Sequence, residues 1–262
     1  MQRLEAATGH ISPYSFTSAL QRNNVKKNRY RDILPFDANR VRLPLPNDYI
    51  NASIVDSGTR RWIATQGPLD DTVNDFWELI YEHSSTIVML CGFTEDRRPK
   101  CAAYFPTEVD QSLKGRDTAR NIAWTVRCVS KSVDEESGAV IREFALERRR
   151  DSLPTQIKLI QHIHYETWPD HEATTIDQLR ALIHRTIQIH DRTATSTTPM
   201  VVHCSAGCGR TGTFIALQAL EEMPDQDVPD LVDKLRKQRI ASVQSLAQFD
   251  LLCDFAKTLK AG

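Results

Sequence analysis

The stretch Val201-Val202-His203-Cys204-Ser205-Ala206-Gly207-Cys208-Gly209-Arg210-Thr211-Gly212 decides how the chain is read. Residues 200–203 form a short apolar run of the kind that makes a strand buried on both faces. The run stops at Cys204, turns through Gly207 and Gly209, and gives way to a helical pattern over residues 211–222. A buried strand, a tight glycine loop and a helix N-terminus in that order form a cradle for an anion. Glycines let successive N–H groups face one point, and the helix start adds its positive end. The backbone of Ser205, Ala206, Gly207, Cys208 and Gly209 supplies those donors, and Arg210 adds a planar fork that can hold two phosphate oxygens. Cys204 lies beneath the same field. That field favours its thiolate and makes it an activated nucleophile.

Two plainer readings compete. The first is a glycine-rich turn with an incidental cysteine, yet His-Cys, Gly and Arg-Thr-Gly at these offsets arise in fewer than about one chain in ten thousand at average residue usage. The second is a metal site from His203, Cys204 and Cys208. Adjacent His and Cys seldom point at one ion, and no second ligand pair at metal spacing occurs in the sequence.

Working outward, the segment before the loop predicts a helix over 175–191, and the segment after it predicts helices over 229–238 and 246–260. Towards the N-terminus, residues 86–90 (TIVML) read as a central strand and 70–83 as a helix with an acidic start. Residues 49–55 and 61–66 read as short strands closed by Gly67-Pro68. A short helix is expected over 14–22. Residues 101–165 look mostly β, with polar loops over 107–120 and 131–139. In the last strand of that region, Thr155, Ile157, Leu159, Gln161, Ile163 and Tyr165 share the face expected to be buried, leaving Gln156, Lys158 and His162 opposite. No repeat or linker interrupts residues 1–262, so one α/β domain is expected.

The 262 residues carry 33 basic and 34 acidic side chains, a formal net charge of -1. No global field favours nucleic acid or an anionic membrane, so affinity for anions must be local. No apolar run approaches the roughly 20 residues that span a bilayer, and the start lacks a signal-peptide pattern. The six cysteines are scattered without a CxxC pair, which reads as reduced thiols of an intracellular, cytoplasmic protein.

The loop resembles the signature HC-x5-R-[ST]-G of the cysteine-dependent protein tyrosine phosphatases. The resemblance extends over nearly the whole chain: KNRYRDI (27–33), NDYINAS (47–53), TQGP (65–68), DFW (75–77), IVML (87–90), KCAAYFP (100–106), HYETWPDH (164–171) and VQSLAQF (243–249) are similar, in order, to other motifs of the tyrosine-specific, non-receptor-type branch. The resemblance implies that family's fold, a single domain with a central, highly twisted mixed β-sheet flanked by α-helices. It also implies hydrolysis of phosphotyrosine in proteins through a cysteinyl-phosphate, with no metal or organic cofactor, and a monomer acting on phosphotyrosine-containing proteins.

The same resemblance distributes roles. Asp170, in Trp168-Pro169-Asp170, matches the general acid of a mobile loop that Trp168 anchors, although alone it reads as an ordinary turn aspartate. Thr211 matches the hydroxyl that assists departure of the sulfur, and Gln244, with Gln248 beside it, matches the residue that positions water. Ser245-x-x-Gln248 is also a capping box. Tyr30 matches the aromatic wall of a deep phosphotyrosine cleft and Asp32 the residue that holds the substrate backbone. Glu95 matches the partner of Arg210 and Lys100 the partner of Asp170, with a solvated charged hairpin as the plainer reading. His203 is expected to brace the loop behind Cys204. Departures from the pattern are His171, Cys208 and Ala241; Cys208 is a candidate resolving thiol for oxidised Cys204, with simple packing as the alternative. Other functional readings are a phosphotyrosine-binding module without turnover, and a phosphatase with dual-specificity or phosphoinositide substrates.

Overall fold

A computed structural model of the chain describes residues 13–118, 121–150, 154–168, 175–194 and 197–260. Nine strands form one mixed sheet. They are β1 (Arg40–Arg42), β2 (Tyr49–Asp56), β3 (Arg61–Thr65), β4 (Thr86–Met89), β7 (Ser112–Asp117), β8 (Ile122–Val133), β9 (Val140–Arg150), β10 (Gln156–His164) and β11 (Met200–His203), in the order β1-β2-β3-β11-β4-β10-β9-β8-β7. The centre, β3-β11-β4-β10, is parallel, and both flanks are antiparallel. A separate ribbon pairs β5 (Thr94–Glu95) with β6 (Arg98–Pro99).

Helices flank the sheet: α1 (Val73–His83) meets β7, α2 (Ile176–Thr193) meets β10, and α3 (Gly209–Glu222) meets β3 and β11. Two more, α4 (Val228–Arg236) and α5 (Leu246–Lys260), pack on α3. Their starts are set by local chemistry. Thr175 and Gln178 form a reciprocal capping box, Asp227 accepts from the Asp230 amide, and Ser245 and Gln248 exchange bonds at α5. All four residues of β4 and of β11 are buried, as parallel strands covered on both faces must be. Among the described residues no helix is long and apolar enough to cross a membrane.

Several expectations need correction. Residues 14–22 form turns, followed by a 3-10 turn at Val25–Lys27. Asp37 is the reason: its carboxylate takes the amides of Thr17 and Ser18 and the Ser15 hydroxyl, at 2.6–3.0 Å, in place of a helical ladder. Residues 70–72 are a 3-10 turn ahead of α1, and α3 begins at Gly209, two residues earlier than its apolar pattern. The polar segments 107–120 and 131–139 are not wholly loop, since β7 lies in the first and the end of β8 in the second.

The faces expected of this stretch hold at Ile163 and Tyr165, which are buried, and fail towards the start of β10 and at His162. Ile157 and Leu159 are 64% and 55% exposed, whereas His162 is fully buried. Lys158, expected outside with it, passes its ammonium to the Ile80 and Tyr81 carbonyls at 3.2 and 2.7 Å, near the C-terminal end of α1.

Candidate active site

The loop sits where the parallel strands end. β11 aligns His203 with Thr65 of β3 and Met89 of β4, so the chain leaves the sheet at Cys204 between two buried neighbours. Gly207 has φ +71°, and a Cβ there would lie 2.0 Å from the Thr65 carbonyl oxygen. Only glycine fits. Three successive carbonyls are then tied to donors outside the loop. The Gly67 amide donates to Ser205 O at 2.9 Å, and Arg239 donates to Ala206 O and Gly207 O at 3.0 Å each. With the carbonyls held away, the amides are free to turn inward, and the Gly207 N–H meets the Cys204 sulfur at 3.3 Å.

Above the sulfur opens a cavity of about 210 Å³ whose lining includes Tyr30, Asp32, Ser205, Ala206, Gly209 and Arg210, with Gln244 and Gln248 at one side and Glu95 and Lys100 at another. Arg210 is 7% exposed and its fork is fixed by Glu95, Nη1 to Oε1 at 2.6 Å and Nη2 to Oε2 at 2.9 Å, with Leu90 O taking a third bond. Glu95 reaches it because residues 94–99 form a tight hairpin, with Asp96 and Arg97 both at positive φ (50° and 59°). The charged hairpin is thus real, and it orients the arginine. Lys100 stands 3.7 Å from Glu95.

Tyr30 donates to the Ser205 hydroxyl at 2.8 Å, since that hydroxyl itself donates to Lys100 O. Arg29 secures the same segment through Gly67 O and Pro68 O, at 3.0 and 2.7 Å. Thr211 is buried in the first turn of α3, and among the described residues its hydroxyl has no hydrogen-bond partner, the sulfur included. Gln248 accepts from the Gln244 and Ser245 amides, so the capping box is formed while the side chain also lines the cavity. Trp168 is 6% exposed and edge-on to Tyr165 at 6.3 Å. Asp170 and His171 lie outside the described residues. Cys208 is fully buried, its thiol pushed up to about 11 by that burial and by the neighbouring Cys204, and it faces Gln244 Oε1 at 3.9 Å. Ala241 is at φ +57°, a left-handed position that glycine adopts more readily.

Behind Cys204 stands His203, where it was expected, and it heads a chain whose other members, Tyr104 and His162, sequence reasoning missed. His203 Nδ1 donates to Cys204 O at 3.1 Å, and burial lowers its pKa to about 4, so the ring is neutral and Nε2 must accept. Tyr104 supplies that proton at 2.8 Å, which leaves its oxygen to accept from His162 Nε2 at 2.9 Å. His162, on the strand that leads to Trp168, is thereby joined to the cysteine loop. Arg239 was missed too. In Arg236-Lys237-Gln238-Arg239 it looks like one more surface cation, yet it is 1% exposed and spans Asn51, Ser53 and the loop. No spacing signal marks it.

Such a site can bind a tetrahedral oxyanion against backbone donors and a guanidinium, with a sulfur at its base. Comparison with known proteins agrees. The family model described as protein-tyrosine phosphatase matches residues 24–257. The chain is 38% identical over 254 residues to receptor-type tyrosine-protein phosphatase C of Rattus norvegicus, covering 92% of this chain and 19% of that protein. It is 35% identical over 257 residues to tyrosine-protein phosphatase non-receptor type 12 of Homo sapiens, covering 91% and 31%. Tyrosine-protein phosphatase 1 of Schizosaccharomyces pombe is 30% identical over 282 residues, with 99% of this chain and 49% of that protein covered. The chain thus spans about a fifth to a half of the length of these relatives. It belongs to the protein-tyrosine phosphatase family.

Proposed function

We propose that this member of the protein-tyrosine phosphatase family hydrolyses phosphotyrosine in proteins, with Cys204 as the nucleophile. One observation carries the reading: the three loop carbonyls are tied away from the cavity, so amides, the Arg210 fork and the Cys204 sulfur converge on one site. The Cys204 thiolate attacks phosphorus while the ester P–O bond breaks, and Asp170 gives its proton to the departing phenolate oxygen. Loop amides and Arg210 bind the three equatorial oxygens as charge redistributes. A water held by Gln244 then attacks the phosphocysteine and yields its proton to Asp170. The sulfur leaves as thiolate, with the free Thr211 hydroxyl available to donate to it.

Tyr30 walls the cleft and Asp32 stands at its rim, which favours a long aromatic phosphoester over phosphoserine. Residues 1–262 are read as one catalytic domain with the rest of the relatives' length outside it. The nucleophile must stay a thiol, and the other five cysteines are also unpaired, which fits a reducing intracellular compartment.

Quenched reactions with a phosphotyrosine peptide, analysed by mass spectrometry, should carry phosphorus on Cys204. Product formed without it would remove the mechanism. Asp170→Ala should lower kcat by about 10²–10⁴ with far less change in KM. A matched phosphoserine peptide hydrolysed equally well would reassign the substrate class.

A further inference from the structure

The antiparallel flank carries a feature that the catalytic reading does not use. Register places three rows across its solvent face: Ser112–Arg127–Ala145–Leu159, Lys114–Thr125–Glu147–Ile157, and Arg116–Ala123–Arg149. Small side chains, Ala123, Thr125 and Ala145, form the floor along β8 and β9. Lys114 and Arg116 rise on β7, Glu147 and Arg149 on β9, and two strand spacings separate these walls by about 9.6 Å. A cavity of about 530 Å³ occupies the trough, and Lys114, Arg116, Ala123, Thr125, Glu147 and Arg149 all line it. Among the described residues Lys114, Arg116 and Arg149 meet no carboxylate, and Arg127 reaches Asp110 only at 3.5 Å. The exposed Ile157 and Leu159 extend the face with apolar surface.

We propose that this trough docks an extended acidic segment of a protein partner. Its width suits one strand-like chain, and side chains alternating down such a chain place carboxylates against Lys114, Arg116 and Arg149. Three unpaired cations stand out on a protein whose net charge is -1. Charged side chains on an edge strand also deter unwanted pairing, but Arg149 sits two strands inside the edge, where that explanation does not reach. A lipid surface fits less well, because the cations line a recess that also holds Glu147. Ile157 lies at the start of β10 and His164 at its end, about 23 Å away at 3.3 Å per residue, so occupancy leaves the catalytic cleft open.

The test uses the whole chain and a fluorescein-labelled peptide alternating Glu with Val, read by anisotropy at low and high salt. The Glu peptide should bind, more weakly as salt rises, and a Lys/Val peptide should not. Combined Lys114→Glu, Arg116→Glu and Arg149→Glu should weaken binding roughly tenfold or more. Thr125→Tyr keeps every charge and fills the floor, and should weaken it too. Both variants should keep the wild-type circular dichroism and p-nitrophenyl phosphate turnover, so a loss of binding cannot come from misfolding. Undiminished binding by either variant overturns the proposal. So does cosedimentation with phosphatidylserine vesicles in the absence of peptide binding.

Discussion

The two halves of the sheet solve different problems. In the parallel centre, β11 and β4 are covered on both faces, and the polar side chains within them are committed: His203 to Cys204 O and Tyr104, Thr86 to His190. In the antiparallel flank one face packs Trp124, Val126 and Phe144 inward while the other carries cations in solvent. The centre spends its burial on holding a loop in a conformation that a free chain would abandon. The flank is built for area and spare surface. Function and fold should therefore separate under mutation, and the ways to break that separation can be ranked.

The largest effect is expected at Cys204. Cys204→Ser should cut turnover on the order of 10⁴-fold with an almost unchanged melting temperature, because one buried sulfur becomes one oxygen. Normal turnover would end the catalytic reading. Next comes Arg239→Met, which should damage both properties. It strips donors from Ala206 O, Gly207 O and Asn51 Oδ1, so stability should fall by about 2–4 kcal/mol and kcat/KM by roughly a hundredfold. Activity retained beside lost stability would show that the cradle holds itself.

A pH titration sharpens the contrast. Burial lowers His203 to about 4 in the folded chain, against an ordinary 6.5, so the unfolded chain binds the extra proton first. Stability from this group is complete above pH 6.5 and falls as the pH drops towards 4, by about 3 kcal/mol in all. Buried His162, lowered for the same reason, steepens the decline. Denaturant midpoints should show it, and His203→Asn should flatten the slope.

The smallest effect belongs to the flank. A Cβ at Gly115 would press within 2.1 Å of the Trp124 ring, so Gly115→Val should cost about 1–3 kcal/mol of stability. Its kcat should be unchanged. A shifted kcat would mean that the halves are coupled.

The same division explains what could be read from residues alone. Strand–loop–helix order, Cys204 and Arg210 were legible, because buried parallel strands leave continuous apolar runs and the loop must contain glycine at Gly207. Glu95 was reached only through the family resemblance, since its own residues read equally as a solvated charged hairpin. Arg239, Tyr104 and His162 were not legible, since their importance lies in what they touch across the sheet and polar residues ordinarily belong outside. The error at β10 has the same origin: Lys158 and His162 face inward because α1 and Tyr104 offer them partners, and Ile157 and Leu159 are left in solvent. Polarity predicts a face only where the interior has no polar partner to give.

The loop whose carbonyls are pinned by Gly67 and Arg239 is shaped before any ligand arrives. A mould set in advance recognises its tetrahedral oxyanion whether or not an aromatic ring is still attached. Under the proposed function, inorganic phosphate released at the end of a cycle would meet the same amides and guanidinium that the substrate met at the start. On that reading free tetrahedral anions should compete with substrate for the mould, so that a phosphate-rich medium should raise the apparent KM and leave kcat unchanged.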